Sequence, residues 1–217
     1  MRLAAALAGA LIGGCALAAD EVALVNHLAG SVSHIRGSRT EKAKPYMKLR
    51  EGDRLNLIAG AQLRVVYLQA GRLESYSGPA AFTVGRHESS VQGGVPPQVS
   101  VLPSGVPQKI AQAQDLVAIA KIGRTRGASA RGPAGDKRLT PQQQAEVRQA
   151  RLTYDELRRS SAADDITPEF YLYSVLQDNL LFNDMKPVVA EMQKRQPENP
   201  DVAAMADYVK VKTAPRK

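Results

Sequence analysis

The sequence predicts an α+β protein, in which a small antiparallel β sandwich or barrel is followed by a basic linker and a C-terminal bundle of helical hairpins. Three observations lead to this fold class. Short runs of apolar residues, punctuated by glycine and proline, fill the first hundred residues. A stretch rich in glycine, alanine and arginine follows them. Beyond it, Thr-Pro and Asn-Pro pairs precede segments with the apolar spacing of helices.

The β region is predicted over residues 20–103. In the segment 62–69, the apolar side chains of Leu63, Val65 and Tyr67 alternate with polar ones, as in a strand with one buried face. Other short apolar runs occupy residues 22–25, 31–36, 72–76 and 81–84. Strands this short and this regularly interrupted are typical of an antiparallel sandwich or a small barrel.

Polar residues in this region are predicted to have structural roles. Gly52-Asp53 predicts a β-turn, because glycine adopts a positive φ at no steric cost and aspartate hydrogen bonds its own backbone. The three histidines of the chain are predicted to lie at the surface: His27, His34 and His87.

Several segments of the β region together resemble a known family. They are Gly30-Ser31-Val32, residues 49–55 with the Gly52-Asp53 turn, the alternating segment 59–67, Gly71-Arg72-Leu73 and Gly78-Pro79. In this order and spacing they are similar to the FecR-type periplasmic β domain, over residues 28–86. The motifs are structural, so the resemblance implies a fold and a periplasmic setting, not a reaction.

Residues 104–139 are predicted to form a basic linker with one short element. The segment 108–122 has a helix-compatible apolar pattern, although its part 116–119 fits a strand equally well. The segment 123–138 is too rich in Gly, Ala and Arg to bury a core. The candidate contacts with an anionic surface are Arg124, Arg126 and Arg131. A solvated spacer is the alternative.

The helical region is predicted over residues 140–212. Thr140-Pro141 combines a capping residue with a proline at the first helical position, and Gln143 completes a capping box. Further helices are predicted to begin at Thr167-Pro168, Met185 and Asn199-Pro200. This up-and-down order indicates an array of α-hairpins.

Residues 171–200 resemble a single degenerate tetratricopeptide-type repeat. The inter-helix turn at 180–184 and the ending at 196–200 carry this resemblance, and Thr167 and Asn199 are spaced near the period of that family. The resemblance implies a protein-binding surface. The alternative is a plain helical bundle that packs on the β domain.

Residues 1–19 are predicted to be a signal peptide. Arg2 forms a short basic region, residues 3–14 are uncharged, and Ala16-Leu17-Ala18 offers the small residues that signal peptidase needs. The apolar stretch is shorter than the roughly 20 residues of a membrane-spanning helix. We therefore expect an exported protein, located in the periplasm or the cell envelope.

Cys15, the only cysteine, leaves two forms of the exported protein open. Residues 12–15 resemble the lipobox of bacterial lipoproteins, in which the cysteine is acylated and anchors the protein to the membrane. Cleavage after Ala18 instead removes Cys15 and releases a protein without cysteine. That second form excludes disulfides, thiol catalysis and cysteine-ligated zinc.

Composition and motifs predict a binding protein that is not an enzyme. The sequence contains no motif for a nucleophile, a phosphate loop, a zinc protease or a calcium loop, so we assign no catalytic, cofactor or metal site. The net charge is +8, but export and the scarcity of aromatic residues argue against a nucleic-acid partner. For an exported chain, an anionic envelope polymer or a membrane surface is the more plausible counterpart of this charge.

Two functions follow from these predictions. The first is a non-enzymatic protein of the cell envelope that binds or scaffolds an envelope protein partner through its β domain and its C-terminal helices. The alternative is a protein that binds an envelope polymer, either peptidoglycan or a polysaccharide, through the basic linker and the β face.

Overall fold

A computed structural model describes residues 20–125 and 139–214, with only the backbone of Arg124 and Thr125. It confirms the α+β fold class, because two antiparallel five-stranded sheets precede the C-terminal helices. The predicted signal peptide, Cys15, Arg126 and Arg131 lie outside the described residues.

The strands of the described residues are β1 (Glu21–Ala29), β2 (Val32–Arg36), β3 (Arg39–Lys42), β4 (Lys48–Arg50), β5 (Arg54–Leu57), β6 (Gln62–Tyr67), β7 (Arg72–Ser77), β8 (Ala80–Val84), β9 (Ser89–Gly94) and β10 (Gln98–Val101). The helices are α1 (Val106–Ala111), α2 (Ala113–Thr125), α3 (Pro141–Ser160), α4 (Thr167–Asp178), α5 (Phe182–Arg195) and α6 (Pro200–Lys212). The first sheet has the order β10-β7-β6-β1-β4, and the second has the order β3-β2-β5-β8-β9.

The two sheets form a sandwich with a core of alternating apolar residues. In β6 the predicted alternation is confirmed, since Leu63, Val65 and Tyr67 are completely buried in this core. Leu55 and Phe82 of the second sheet belong to the same core. Successive strand residues point to opposite faces, so the intervening residues of β6 lie on the outer face of the first sheet.

The outer face of the first sheet is covered by helices. Leu24, Val66 and Leu73 lie in one hydrophobic core with α1, α2 and the C-terminal helices. Phe170 of α4 is buried in this core, and its ring centroid lies 5.5 Å from that of Tyr46. The first sheet is therefore a shared layer, with the second sheet on one side and helices on the other.

Residues 106–125 form two helices where the sequence predicts a linker with one short element. The helical interpretation of residues 108–122 is confirmed, and the strand alternative for residues 116–119 is wrong. Apolar residues recur at helical spacing within each helix and are buried in the helical core: Val106 and Ile110 in α1, and Ala113, Val117 and Ala120 in α2. Gly123, the first residue of the segment 123–138 that is rich in Gly, Ala and Arg, lies where α2 approaches α6. A Cβ added there would be 2.7 Å from Cδ2 of Tyr208, so glycine permits this close packing.

The predicted starts of the C-terminal helices are correct at two positions. Thr140 caps α3 in a complete capping box with Gln143, and the side chain of Asn199 caps α6. Thr167, predicted as a cap, is instead the first residue of α4. The third C-terminal helix begins at Phe182 rather than Met185, because the chain turns at Leu180, whose φ is +58°.

No helix in residues 20–125 and 139–214 has the length and apolar character needed to cross a membrane.

Candidate functional site

A groove of about 480 Å³ lies between the outer face of the first sheet and the C-terminal end of α3. It occupies the part of that face that α1 and α4 leave uncovered. The sheet supplies hydroxyl and amide side chains, while α3 and the residues after it supply the opposite wall. The lining includes Ser77, Gln98, Ser100, Leu157, Ser160 and Ser161. This lining offers many neutral hydrogen-bonding groups and few charges.

Strand β10 forms an open edge beside this groove. Its neighbour in the first sheet is β7, and no described strand pairs with its other side. The backbone N–H of Leu102 donates to the carbonyl oxygen of Gly71 at 2.7 Å. Because hydrogen-bonding direction alternates along an antiparallel strand, the N–H and C=O groups of Val99 and Val101 point away from β7. Their side chains are 46% and 78% exposed.

A buried ion cluster holds the wall of the groove in place. The carboxylate of Glu169 is fully buried and accepts hydrogen bonds from Arg158, Arg195 and Tyr154. Both guanidinium groups approach it to 3.0 Å. Since the three partners and Glu169 come from α3, α4 and α5, the cluster joins these helices. A buried charge with several donors is tolerated because its hydrogen bonds replace those it had with water.

Arg158 also orders the segment that follows α3. Its guanidinium donates to the backbone carbonyl oxygens of Ser161, Ala162 and Asp165. This arrangement fixes residues 161–165, and Ser161, Ala162 and Asp165 of this segment line the groove. The wall of the groove is thus preformed.

A polar junction connects the same segment to the first sheet. Asp164 accepts a hydrogen bond from Nη2 of Arg64 at 3.1 Å, and its Oδ2 lies 3.6 Å from Nε2 of His27. Burial raises the pKa of Asp164, but the hydrogen bond and charge of Arg64 outweigh it and hold that pKa below its ordinary value. Burial and the charge of Arg64 lower the pKa of His27.

A bulge in β1 places His27 at this junction. The register of β1 against β6 shifts between Val25 and His27, so Asn26 is an extra residue. The amide of Asn26 donates to Oγ1 of Thr167 at 2.5 Å, and the Thr167 hydroxyl donates to Asp165. Thr167 thus uses its side chain to join the sheet to the helices, while Ile166 holds the N-cap position of α4.

The predicted turn at Gly52-Asp53 is confirmed, and it contains a buried histidine. Gly52 has a φ of +87°, and Asp53 accepts a hydrogen bond from the backbone N–H of Arg50 at 2.9 Å. Oδ2 of Asp53 lies 3.0 Å from Nε2 of His34, which is 1% exposed. The prediction that His34 lies at the surface is therefore wrong. Arg36 binds the same carboxylate through two hydrogen bonds, so this group ties β2 to the turn.

The structure does not test the predicted cationic contacts. Arg124 falls in the last turn of α2, where only the backbone is described, and Arg126 and Arg131 lie outside the described residues. Within the described ranges, no three histidine, cysteine, aspartate or glutamate residues lie close enough together to hold a metal ion.

The fold defines the class of the protein as an antiparallel two-sheet sandwich with a helical layer packed on one sheet. Comparisons with known protein families, with curated proteins and with solved structures found no match. The similarity of residues 28–86 to the FecR-type domain, and that of residues 171–200 to a tetratricopeptide-type repeat, stay predictions.

The sequence interpretation did not find the groove or β10. The signal for the strand is present, because Val99 and Val101 alternate with Gln98 and Ser100. The groove has no such signal. Its two sides, β10 and the end of α3, are separated by more than fifty residues of sequence and meet only in the tertiary structure.

Proposed function

We propose that this chain is a non-enzymatic exported protein of the cell envelope, which binds an extended segment of a protein partner. The observation that carries the proposal is the groove between the first sheet and α3, with the open edge of β10 beside it. A groove between an edge strand and a helix is a common site for extended peptides, because backbone groups and neutral side chains together bind a polypeptide backbone.

The rigidity of the groove supports this function. The cluster around Glu169 and the carbonyl contacts of Arg158 order the α3 side before any ligand arrives. A preformed site loses less conformational entropy on binding, so more of the contact energy contributes to affinity.

The cellular location in this proposal is inferred from the amino-acid sequence. The predicted signal peptide at residues 1–19 supports export, and the resemblance of residues 28–86 to the FecR-type domain supports a periplasmic location. Export to the envelope also makes a protein or polymer of the envelope the natural partner, rather than a nucleic acid.

Binding of an envelope polymer is the second candidate function, and it uses a different surface. The outer face of the second sheet exposes the cations Lys42 and Arg54 beside the polar side chains of Ser33 and Asn56. Such a flat cationic and polar face suits an anionic peptidoglycan or polysaccharide.

A variant that fills the groove distinguishes the two proposed functions. A photoreactive amino acid is placed at Ser160, on the α3 side, in cells that naturally produce the protein. Illumination is expected to give a discrete protein adduct. Ser77→Trp fills the groove and is expected to reduce this adduct at least about tenfold, whereas Ser33→Trp, also at an exposed strand serine, leaves it unchanged.

Equal adducts in the two tryptophan variants would contradict the groove as the binding site. Sedimentation with purified sacculi that falls with added salt and with the double variant Lys42→Gln and Arg54→Gln, but not with Ser77→Trp, would establish the polymer function instead.

A further inference from the structure

We propose that the partner segment binds as an added β-strand on the open edge of β10, and that apolar side chains alternate with polar ones along it. This inference rests on the proposed function and specifies the chemistry of the partner. It is carried by the backbone direction of β10 and by the exposure of its two valines.

The edge strands of the two sheets differ in how they are protected. Natural sheets block unwanted pairing with charges, irregularities or short length at their edges. β3 contains Arg39, Glu41 and Lys42, and β4 contains Lys48 and Arg50. β9 ends in two glycines, and its register against β8 is irregular. In contrast, β10 has the sequence Gln-Val-Ser-Val, without charge, glycine or a register shift, so its length of four residues is the only one of these protections that it has.

The outward backbone groups of β10 define the geometry of binding. The N–H and C=O groups of Val99 and Val101 face the open side, so a segment beside β10 gains hydrogen bonds at both positions. Only another polypeptide backbone in an extended conformation offers donors and acceptors at this repeat. The backbone of β10 therefore requires an extended partner segment, whatever the sequence of that segment.

The side chains of β10 define the pattern that fits. All four residues of β10 contribute to the lining of the groove. Gln98 and Ser100 lie on the helix-facing side of the sheet, beside their partners Ser75 and Leu73, and Val99 and Val101 lie on the opposite face. Cross-strand neighbours on the same face are in contact. A matching segment therefore has valine or isoleucine toward the two valines, and serine, threonine or asparagine toward Gln98 and Ser100.

A second copy of this chain fits the edge less well than a partner segment. β10 is four residues long, and two folded proteins need about 1,200 Å² of total buried surface for a stable interface. Two copies, each with a net charge of +8, also repel one another. A short segment avoids this repulsion and gains further contact area from the groove.

The test uses the purified protein without its predicted signal peptide and two fluorescent peptides of about eight residues. In one peptide valine and serine alternate, and in the other the same residues are grouped, with glutamates at one end of each for solubility. The alternating peptide is expected to bind at least about tenfold more tightly, measured by fluorescence anisotropy.

A proline in β10 separates backbone pairing from side-chain contact. Val99→Pro removes the outward N–H but leaves pairing with β7, and edge strands accept proline at such positions. It is expected to weaken binding about tenfold, since one hydrogen bond is lost and the proline ring obstructs the edge. The matched control Val99→Thr keeps the N–H and the branched shape, and is expected to change binding less than about threefold. Thermal unfolding followed by circular dichroism checks that both variants fold.

A second measurement leaves the protein unchanged. The alternating peptide N-methylated at the residues that face β10 cannot donate to it, and is expected to lose binding. Equal binding of the alternating and grouped peptides, or no binding of the alternating peptide up to about 1 mM, would overturn the inference. So would self-association that Val99→Pro abolishes. If Ser77→Trp abolishes peptide binding while Val99→Pro and N-methylation leave it intact, strand addition is wrong and the groove remains the binding site.

Discussion

At the scale of single residues, the chain places ionisable side chains where sheet and helices meet. His27 lies opposite Arg64 of β6 and near Asp164 of the segment after α3, which itself accepts a hydrogen bond from Arg64. Burial and the positive charge of Arg64 favour its neutral form, while Asp164 and Asp165 oppose them more weakly. Protonation of His27 is therefore coupled to the contact between the sheet and the helices.

This coupling predicts a dependence of stability on pH. The pKa of His27 is below its ordinary value of 6.5 in the folded state, so the unfolded chain binds more protons just below pH 6.5. The stability from this site is complete above pH 6.5 and is lost as pH falls toward the lower folded pKa. Urea unfolding between about pH 7 and pH 5 is expected to show this loss.

His27→Gln is expected to flatten the stability profile in that range. The control is His87→Gln, because His87 is exposed and lies outside the junction. If both variants keep the pH dependence of the unmodified protein's stability, other groups cause that dependence.

The carboxylates of Asp164 and Asp53 affect stability at lower pH. Both have lowered pKa values in the folded state, so their contribution to stability is lost as pH falls through those values.

The residue scale also shows what the sequence could and could not predict. The Gly52-Asp53 turn and the cap at Thr140 follow from local chemistry, and both are confirmed. The burial of His34 depends on its pairing with Asp53, nineteen positions later, so no local pattern indicates it. Thr167 has the local pattern of a cap, but the helix begins one residue earlier than that pattern predicts, and the Thr167 hydroxyl accepts a hydrogen bond from the distant Asn26.

At the scale of elements, the sequence predicts a linker at residues 123–125, but these residues form the end of α2. Gly123 is the residue that explains this difference. Gly123 opens the segment 123–138, which is predicted to be a linker because its Gly, Ala and Arg content is unsuited to a buried core. Glycine also lowers helix propensity by about 1 kcal/mol relative to alanine. The close approach of Tyr208 explains its presence within a helix. Propensity describes the isolated segment, whereas the packing of α2 on α6 determines which residue fits.

Gly123→Ala is therefore expected to destabilise the protein by about 1–3 kcal/mol, although alanine is the better helix former. The added Cβ would lie 2.7 Å from Cδ2 of Tyr208, so the ring has to move. Urea unfolding measures the change. Gly93→Ala serves as the control, because no atom lies within 4 Å of a Cβ there. A stabilised Gly123→Ala would mean that α2 does not approach α6 in this way.

At the scale of the whole molecule, the first sheet belongs to two cores at once. Leu63 and Val65 face the sandwich, while Val66 faces the helices and shares a core with Phe170. A sheet with both faces buried cannot lose one covering layer without exposing apolar surface. The sandwich and the helices are therefore expected to unfold together.

Native-state hydrogen exchange followed by mass spectrometry tests this cooperativity. Amides of β6 and of α4 are expected to exchange through the same global opening, with free energies equal within about 1 kcal/mol. A helical layer that opens several kcal/mol below β6 would show that the sandwich is stable alone. The amides of β10 that face β7 serve as a comparison within the same experiment, because an edge strand is expected to exchange through local fraying.

The shared sheet also has a consequence for how the chain is made. Asn26 and Thr167, which bond across the two layers, are 141 positions apart. At about 5–20 residues per second, the ribosome adds this length in roughly 7–28 s. For about the last 100 of these residues, which follow Val66, both Leu24 and Val66 have been synthesised without the C-terminal helices that cover them. The apolar outer face of the first sheet is therefore exposed in the growing chain until these helices follow, unless a chaperone covers it or the strands stay unpaired.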